Sequence, residues 1–294
     1  MVTNLADLKV RIDSALAEYL PTDSAIAQDV VDAMRHGVLG GGKRLRPMLA
    51  CATAQASGAN PEVALSSGCA TEFIHAYSLI HDDLPAMDDD ELRHGLPSAH
   101  VAFGEATAIL AGDSLHSMAF QLIAQDHDLA AETRIEMISL LSQAAGWAGM
   151  AGGQCLDIMA EGENLSLSEL KALHAAKTGA LIKASVQLGY LSACGTTAGD
   201  PKFTLLSDYG EQIGLAFQVM DDVLDVTQST EQLGKPAGSD EALEKNTFPK
   251  LMGLDAAVVF AADLIGEAKS KIEFLGEDGR LLADLAELVV NRNH

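Results

Sequence analysis

The stretch from residue 76 to residue 95, AYSLIHDDLPAMDDDELRHG, places many acidic side chains at the end of a helical run. Carboxylates packed this closely repel one another unless a cation neutralises them, and they are the ligands that Mg²⁺ prefers. Pro85 lies inside the acidic run, where its ring and missing N–H must kink or end the helix. A kink would bring Asp82 and Asp88 to one ion, although a straight helix would leave them on different faces. Taken alone, the run favours an ordinary solvated helix terminus.

A second acidic cluster, DDVLD at residues 221–225, changes that interpretation. Asp221 and Asp225 are four residues apart, so on a helix they share a face and can bind one ion together. Their neighbours are apolar, and unpaired carboxylates would be costly there. Two such clusters on helices predict a multi-magnesium site that holds a diphosphate. The predicted metal ligands are Asp82, Asp83, Asp88, Asp221, Asp222 and Asp225.

Composition limits the fold class and the partners. Helix-forming residues dominate, aromatic residues are 4% of the chain and β-branched runs are short, which predicts an all-α fold. The 42 acidic and 19 basic residues give a net charge of −23, which argues against nucleic acid or an anionic membrane as partner. With 294 residues, no internal repeat and no clear boundary, the chain is expected to form one domain over residues 1–294.

Cysteine usage and the N-terminus indicate a cytoplasmic protein. The four cysteines are widely spaced, without a CxxC pair, and are expected to be small core residues in a reducing compartment. The N-terminal helix is amphipathic and carries acids, unlike a signal or transit peptide. No apolar stretch approaches the length of a membrane span.

Residues 37–47, GVLGGGKRLRP, connect two predicted helices. Glycines 40–42 free the backbone, and Lys43, Arg44 and Arg46 bring together three of the 19 basic side chains. An ordinary glycine-rich connection is the alternative, and a nucleotide P-loop is excluded because the Walker spacing and a preceding strand are missing. In so acidic a chain, cations beside flexible backbone N–H groups favour a phosphate-binding corner.

Helical spacing of apolar residues predicts a bundle of about ten or more helices. A second helix is expected to start at a Thr22/Asp23 cap, and Ser166 with Glu169 resembles a capping box. The polar stretch 229–247 is expected to be a mobile loop or lid. The predicted helices cover about 4–19, 22–35, 63–82, 104–125, 130–150, 153–161, 166–194, 203–227, 254–275 and 278–291.

Taken in order, these motifs resemble those of the trans-isoprenyl diphosphate synthases (polyprenyl synthetases), and most closely the bacterial farnesyl diphosphate synthases among them. GGGKRLRP resembles the family's isopentenyl diphosphate corner, DDLPAMD its first aspartate-rich motif with two extra residues, and DDVLD its second. The likeness covers nearly the whole chain. It implies an isoprenoid synthase fold, a helical bundle around a central substrate cavity, and a homodimer. About three Mg²⁺ ions per active site are implied as well.

The resemblance also implies a reaction, the condensation of isopentenyl diphosphate with dimethylallyl or geranyl diphosphate to give farnesyl diphosphate. The residues implied to bind or shield substrate are Gly42, Lys43, Arg46, His75, Arg93, His94, Lys177, Thr178, Gln218, Lys235 and Lys245. Of these, Lys177, Thr178 and Gln218 are also implied to be catalytic. His94 stands where the family usually has a second arginine, so weaker and more pH-dependent isopentenyl diphosphate binding is expected. Tyr77 and Ser78, about 6–8 Å below the first aspartate along the helix, are implied to form the floor of the tail pocket.

Three alternatives stay open. The same chemistry could give geranyl or geranylgeranyl diphosphate. A class I terpene cyclase also has an aspartate-rich helix, but it would carry an Asn/Ser/Glu magnesium motif in place of DDVLD. From another class, the chain could be a non-catalytic partner subunit or a cation-binding protein. Such subunits tend to lose one aspartate cluster, and no EF-hand loop is present.

Overall fold

The computed structural model of this chain describes residues 4–197, 199–227 and 246–291, and most of them are in α-helices. The helices up to the first aspartate cluster are α1 Leu5–Tyr19, α2 Gln28–Leu39, α3 Leu45–Ala56 and α4 Leu65–Asp82, with a 3-10 turn at Pro61–Ala64. The next helices are α5 Ala99–Phe103, α6 Glu105–Ala124, α7 Ala131–Ala145, α8 Met150–Met159, α9 Leu167–His174 and α10 Ala180–Cys194. The last are α11 Pro201–Thr227, α12 Phe248–Met252, α13 Leu254–Ile272 and α14 Arg280–Val290, with a 3-10 segment at Glu273–Gly279. The predicted all-α class is confirmed.

The sequence predicts the start of α1 correctly and the start of α2 wrongly. Helix α1 begins at a sequence-encoded cap, because the Asn4 side chain accepts a hydrogen bond from the backbone N–H of Asp7. The expected start of α2 at Thr22 or Asp23 is wrong. The Thr22 hydroxyl donates to the Asp23 carboxylate instead, and α2 begins only at Gln28.

Helices α3 and α10 pack against each other, and the two helices that carry the aspartate clusters are held against this pair. Almost every residue of α3 is buried, so this helix is enclosed on all sides. Helix α10 approaches α3 closely because Gly189 has no side chain: a Cβ there would stand 2.1 Å from the carbonyl oxygen of Ala50. Both α4 and α11 pack against α10. The packing of the core therefore fixes the two clusters relative to each other.

A small antiparallel hairpin follows the first cluster, and the sequence predicts neither it nor the short helices α5 and α12. Strand β1 Leu92–Arg93 pairs with β2 Leu96–Pro97. His94 and Gly95 form the turn, with φ angles of 53° and 77°. Positive φ at both central residues gives a two-residue turn whose twist matches that of the strands.

The predicted helix from Ser166 to Cys194 is confirmed in extent but not in regularity. Its capping box is present, because the Ser166 hydroxyl accepts from the N–H of Glu169 and the Glu169 carboxylate accepts from the N–H of Ser166. Between α9 and α10, Ala175–Gly179 form a π-helical turn. Such a turn redirects the side chains around it and is frequent at functional sites. Two of the predicted site residues lie in this turn.

The cysteines match the expectation only in part. Cys51 and Cys69 are buried, but Cys155 and Cys194 are exposed, so the predicted core position is wrong for the latter two. All four are free thiols. No helix in the described part of the chain is both long enough and apolar enough to cross a membrane.

Candidate active site

The first aspartate cluster folds back on itself, as its proline predicts. Helix α4 ends at Asp82, and the turn after it contains Pro85. The backbone N–H of Asp88 then donates to the carbonyl oxygen of Asp82 at 2.8 Å. Burial raises the pKa of the Asp82 carboxyl to about 7, and the nearby Asp88 carboxylate adds to that rise. A cation beside these two carboxylates would stabilise their charged forms.

Asp83, the next residue of this cluster, is engaged by the hairpin. It is 2% exposed and accepts hydrogen bonds from the Arg93 guanidinium, including one from Nε at 3.0 Å. Arg93 also donates to the Asp90 carboxylate at 3.3 Å. Burial raises the pKa of Asp83, and the bonds from Arg93 oppose that rise. Asp83 therefore ties the hairpin to the end of α4.

The second cluster lies inside α11, and its middle aspartate belongs to a chain of hydrogen bonds. Asp222 is 2% exposed, and its two oxygens accept from Gln218 Nε2 and from the backbone N–H of Phe248, each at 2.9 Å. Gln218 Oε1 accepts in turn from the Thr178 hydroxyl at 3.0 Å. Gln218 and Thr178, which the resemblance assigns together, are thus in direct contact. The hydrogen bonds join the π-helical turn, α11 and the start of α12.

Each aspartate cluster interacts electrostatically with a cationic side chain from another part of the site. Asp221 is exposed and Asp225 is buried, one helical turn apart on α11. Burial lowers the pKa of the Arg46 guanidinium, and Asp221 opposes this shift from across the site. Lys177, in the π-helical turn, lowers the pKa of Asp82 in the first cluster. The first cluster therefore lies near the π-helical turn, and the second lies near the corner between α2 and α3.

Lys177 has a partner that the sequence analysis did not identify. Its ammonium group lies 2.6 Å from the Asp157 carboxylate of α8. Helix α8 approaches so closely that a Cβ on Gly153 would stand 2.3 Å from the backbone nitrogen of Lys177. A lysine in so apolar a stretch signals that a carboxylate or a phosphate lies nearby. Its sequence spacing does not reveal which carboxylate that is.

In the corner between α2 and α3, Arg44 is a structural residue. It is 6% exposed and donates to the carboxylates of Asp13 and Glu72 and to the carbonyl oxygen of Val38. These bonds tie α1, α2 and α4 to the start of α3. Arg44 is therefore not one of the cations that the corner presents to a ligand, which corrects the three-cation interpretation.

Arg46 behaves differently, although it is also buried. It is 8% exposed, and its Nε makes no hydrogen bond. Burial lowers its pKa to about 10, so it is still charged near neutral pH. A buried guanidinium with an unused donor is stabilised by an anion that supplies the missing acceptor. Lys43 is exposed at the same corner.

His94 and His75 also lie at this corner, and their contact with substrate stays a prediction. A Cβ on Gly41 would stand 3.3 Å from His94 Cβ, and one on Gly42 would stand 3.8 Å from His94 Nε2. Burial lowers the pKa of His94, and the neighbouring cations lower it further. Burial lowers the pKa of His75 well below its usual value, with Arg46 the next cause. Both imidazoles are therefore neutral near pH 7 and can offer a ligand a hydrogen bond but no charge.

Tyr77 and Ser78 lie on α4, four to five residues before its end. Tyr77 is half-buried, and the imidazole rings of His81 and His116 stand edge-on to it with centroid distances of 5.7 and 5.0 Å. The Ser78 hydroxyl donates to the carbonyl oxygen three residues earlier, at 2.8 Å. Ser78 is thus satisfied within its own helix, and Tyr77 is the bulky member of the pair. Their effect on product length stays a prediction.

The carboxylates suit Mg²⁺ that is shared with a diphosphate. In residues 4–197, 199–227 and 246–291, no three His, Cys, Asp or Glu side chains converge so as to hold a metal ion by themselves. Mg²⁺ commonly keeps several waters and is held by one or two carboxylates together with substrate phosphates. The pairs Asp82 with Asp88 and Asp221 with Asp225 are donor sets of that kind.

Two predictions fall outside the described residues. Lys235 and Lys245, both predicted to contact substrate, belong to the segment 228–245. Most of the predicted lid, residues 229–247, lies there as well.

Comparison with known proteins agrees with this geometry. The family model for polyprenyl synthetase matches residues 27–273. The farnesyl diphosphate synthase of Escherichia coli (strain K12) is 50% identical over 269 residues, which cover 90% of this chain and 89% of that protein. The chloroplastic geranylgeranyl pyrophosphate synthase of Capsicum annuum is 46% identical over 259 residues, or 87% of this chain and 69% of that protein. The structure of a geranyltransferase from Helicobacter pylori, complexed with magnesium and isoprenyl diphosphate, gives a TM-score of 0.85 at 33% identity, covering 99% of this chain and 98% of that one. The chain belongs to the polyprenyl synthetase family.

Proposed function

We propose that this protein makes farnesyl diphosphate by joining isopentenyl diphosphate head-to-tail to dimethylallyl diphosphate and then to geranyl diphosphate. The observation that carries the proposal is the presence of two carboxylate pairs, Asp82 with Asp88 and Asp221 with Asp225, in a site that also contains the buried Arg46 with its unused Nε donor. Lys177 lowers the pKa of Asp82, and Asp221 opposes the lowering of the Arg46 pKa, which agrees with this placement. Carboxylate pairs for cations and cationic side chains for anions, placed together, are what two diphosphate substrates require. The 50% identity to the Escherichia coli farnesyl diphosphate synthase supports this activity.

The proposal divides the aspartates into two roles. Asp82 with Asp88 and Asp221 with Asp225 would hold Mg²⁺, about three ions per site, and the bound metal would supply positive charge to the diphosphate leaving group. The magnesium named for the Helicobacter pylori structure supports this choice of metal. Asp83 and Asp222, which were also predicted as metal ligands, are proposed to organise the site through the bonds that they already make.

The allylic substrate reacts in the half of the site that contains the π-helical turn. The bond between C1 and the diphosphate oxygen breaks, the electron pair leaves with the oxygen, and an allylic cation remains. Lys177 adds positive charge beside the departing diphosphate. The Thr178 hydroxyl and the Gln218 amide, joined at 3.0 Å, present oxygen atoms that stabilise the allylic cation.

The second substrate is oriented by the corner between α2 and α3. Arg46 provides its unused donor to the diphosphate of isopentenyl diphosphate, and Lys43, His75 and His94 surround that group. The terminal double bond then attacks C1 of the cation and forms the new carbon–carbon bond. The resulting cation loses a proton from C2 to the released diphosphate, which leaves the double bond of the product. Orientation of the two substrates supplies much of the rate acceleration.

The proposal includes a single domain over residues 1–294 and a homodimer, both implied by the family resemblance. Four free thiols support a reducing compartment such as the cytoplasm. Analytical ultracentrifugation of the purified protein tests the homodimer, since a monomer at micromolar concentration would contradict it.

Product analysis tests the proposed reaction. The purified protein is incubated with Mg²⁺, isopentenyl diphosphate and dimethylallyl diphosphate, and the dephosphorylated alcohols are separated by chain length. We expect farnesol as the main product, with none in excess EDTA until Mg²⁺ is restored. Geranylgeraniol would favour the longer product instead, which the 46% identity to the Capsicum annuum protein supports. The absence of any product would favour a non-catalytic partner subunit.

A further inference from the structure

The start of α12 contacts the site through Phe248. The backbone N–H of Phe248 donates to Asp222 at 2.9 Å, and the phenyl side chain is fully buried. The ring also packs against the imidazole of His174, with centroids 5.6 Å apart. His174 is the last residue of α9, and the π-helical turn begins directly after it. The start of α12 therefore supports both the second aspartate cluster and the turn that carries Lys177.

Two residues before Phe248, the Asn246 side chain joins this segment to the end of α8. Its Nδ2 donates to the carbonyl oxygens of Ala160 and Glu163 at 3.3 and 3.0 Å. Its Oδ1 accepts from the backbone N–H of Leu165 at 3.1 Å. Ala160 is the C-cap of α8. The amide of Asn246 therefore fastens the end of α8, and the loop after it, to the start of α12.

The end of α8 is important because this helix carries the partner of Lys177. Asp157 lies three residues before Ala160, and its carboxylate is 2.6 Å from the Lys177 ammonium group. Asp157 and Asn246 line one cleft at the junction of α8 and α9. A shift in the end of α8 would therefore move the carboxylate that holds Lys177.

These contacts form a closed ring that begins and ends at the π-helical turn. On one side, Thr178 donates to Gln218 at 3.0 Å, and Gln218 donates to Asp222 at 2.9 Å. On the other side, Lys177 binds α8, and Asn246 joins α8 to the segment that donates to Asp222. Asn246 thus connects the two sides of the ring.

We propose that Asn246 is a positioning residue for the allylic diphosphate, because it closes this ring and fixes Lys177 relative to Asp222. The inference rests on the proposed function, in which Lys177 lies beside the departing diphosphate. Asn246 does not touch the reacting atoms. It acts through α8 and Asp157, and a displacement of about 1 Å at a reacting centre can cost about 10²-fold in rate.

Steady-state kinetics on Asn246→Ala and Asn246→Asp tests the inference. Ala removes all three hydrogen bonds, and Asp keeps an acceptor for the Leu165 N–H but loses both donors. We expect the KM for dimethylallyl diphosphate to rise about fivefold and kcat to fall about tenfold in both variants. The KM for isopentenyl diphosphate should stay within about twofold of wild type, because its corner lies between α2 and α3.

Asn60→Ala is the matched control. The Asn60 side chain accepts from the N–H of Glu62 and caps the 3-10 turn Pro61–Ala64. This turn precedes the end of α4 that lies about 25 Å along the helix from Asp82. The control removes an asparagine that orders a loop outside the site, and all three kinetic constants should stay near their wild-type values.

An Asp157→Asn background separates positioning from a general loss of stability. This variant lacks the charge that holds Lys177, so the position of α8 has less influence on the ammonium group. Asn246→Ala should lower kcat/KM for dimethylallyl diphosphate about fiftyfold in the wild-type background and less than about threefold in the Asp157→Asn background.

The possible failures are distinguishable. Wild-type protein that forms no condensation product would overturn both the proposed function and this inference. With an active wild type, unchanged constants in the Asn246 variants, or equal rises in both KM values, would overturn the inference alone. An equal loss in Asn60→Ala, or the same loss in both backgrounds, would also overturn it. If Asn246→Ala does not fold, Asn246→Asp gives the decisive comparison.

Discussion

The two aspartate clusters have similar sequences, but their backbones differ in conformation. The first stands at a helix end, where the chain reverses after Pro85 and a backbone hydrogen bond returns Asp88 to Asp82. The second lies within the 27 residues of α11, where helical spacing alone puts Asp221 and Asp225 on one face. One pair is created by a turn that interrupts a helix, and the other by a helix that is not interrupted.

Despite this difference, each cluster uses its second aspartate in the same way. Asp83 and Asp222 are both 2% exposed. Asp83 accepts hydrogen bonds from Arg93, and Asp222 accepts them from Gln218 and from the N–H of Phe248. A pair of adjacent aspartates therefore contains one residue that fixes the local structure. Our proposal assigns the first aspartate of each pair, Asp82 and Asp221, to Mg²⁺ binding.

The largest expected effect comes from the aspartates assigned to the ligand. Asn in place of Asp82 or Asp221 keeps the size of the side chain and removes its charge. We expect kcat to fall on the order of 10³-fold in either variant, because a metal ligand is lost at the leaving group. Steady-state kinetics at saturating Mg²⁺ measures the loss, and scanning calorimetry should show little change in the unfolding temperature. A kcat within tenfold of wild type in either variant would contradict the division of roles.

A smaller effect, on stability, is expected from the structural aspartates. Asp83→Asn removes the charge that Arg93 faces, and Asp222→Asn has a single acceptor oxygen for two donors. We expect the free energy of unfolding to fall by about 1–3 kcal/mol in each variant, the cost of a buried polar group left without its partner. Denaturant titration measures it, with exposed Asp113→Asn as a control. Unchanged stability together with a kcat loss as large as that of Asp82→Asn would show that these residues are ligands instead.

The sequence predicts the parts of this site that depend on local pattern. Helical spacing placed Asp221 and Asp225 together, and Pro85 predicted the chain reversal of the first cluster. The local pattern of glycines and cations could not distinguish Arg44 from Arg46, and only the family resemblance assigned Arg46 alone to the substrate. The partners that make Arg44 structural, Asp13 and Glu72, are 31 and 28 residues away along the chain.

Short or irregular elements also escape local pattern. The strands of the hairpin have two residues each, too few for alternation of side chains to appear. The π-helical turn at Ala175–Gly179 lies inside an otherwise regular helix, and a single wide turn barely disturbs the spacing of its apolar residues. Both elements carry proposed site residues. The roles of these residues came from the family resemblance, and their positions came from tertiary packing.

The hairpin adds little positive charge to the corner between α2 and α3. Arg93 donates hydrogen bonds to Asp83 and Asp90, and these carboxylates offset its charge toward a diphosphate. His94 follows it in the turn and lies against the glycines of the corner. Because burial and neighbouring cations lower its pKa, His94 is neutral at pH 7 and becomes charged only in more acidic solution. The corner therefore depends on Arg46 and Lys43 for its charge.

The smallest expected effect comes from His94→Arg. Arginine brings a permanent charge, and one charge-assisted hydrogen bond in place of a neutral one is worth about 1 kcal/mol. We expect the KM for isopentenyl diphosphate to fall about fivefold at pH 7.5, with little change in kcat. The difference from wild type should narrow as the pH falls through the lowered pKa of His94, because the wild-type imidazole then gains its charge. His94→Gln, a neutral donor that does not titrate, is the control and should keep the high KM at every pH. A KM that is equal in wild type and the Arg variant would mean that His94 does not contact the diphosphate, and the hairpin would then serve the first cluster only through Arg93.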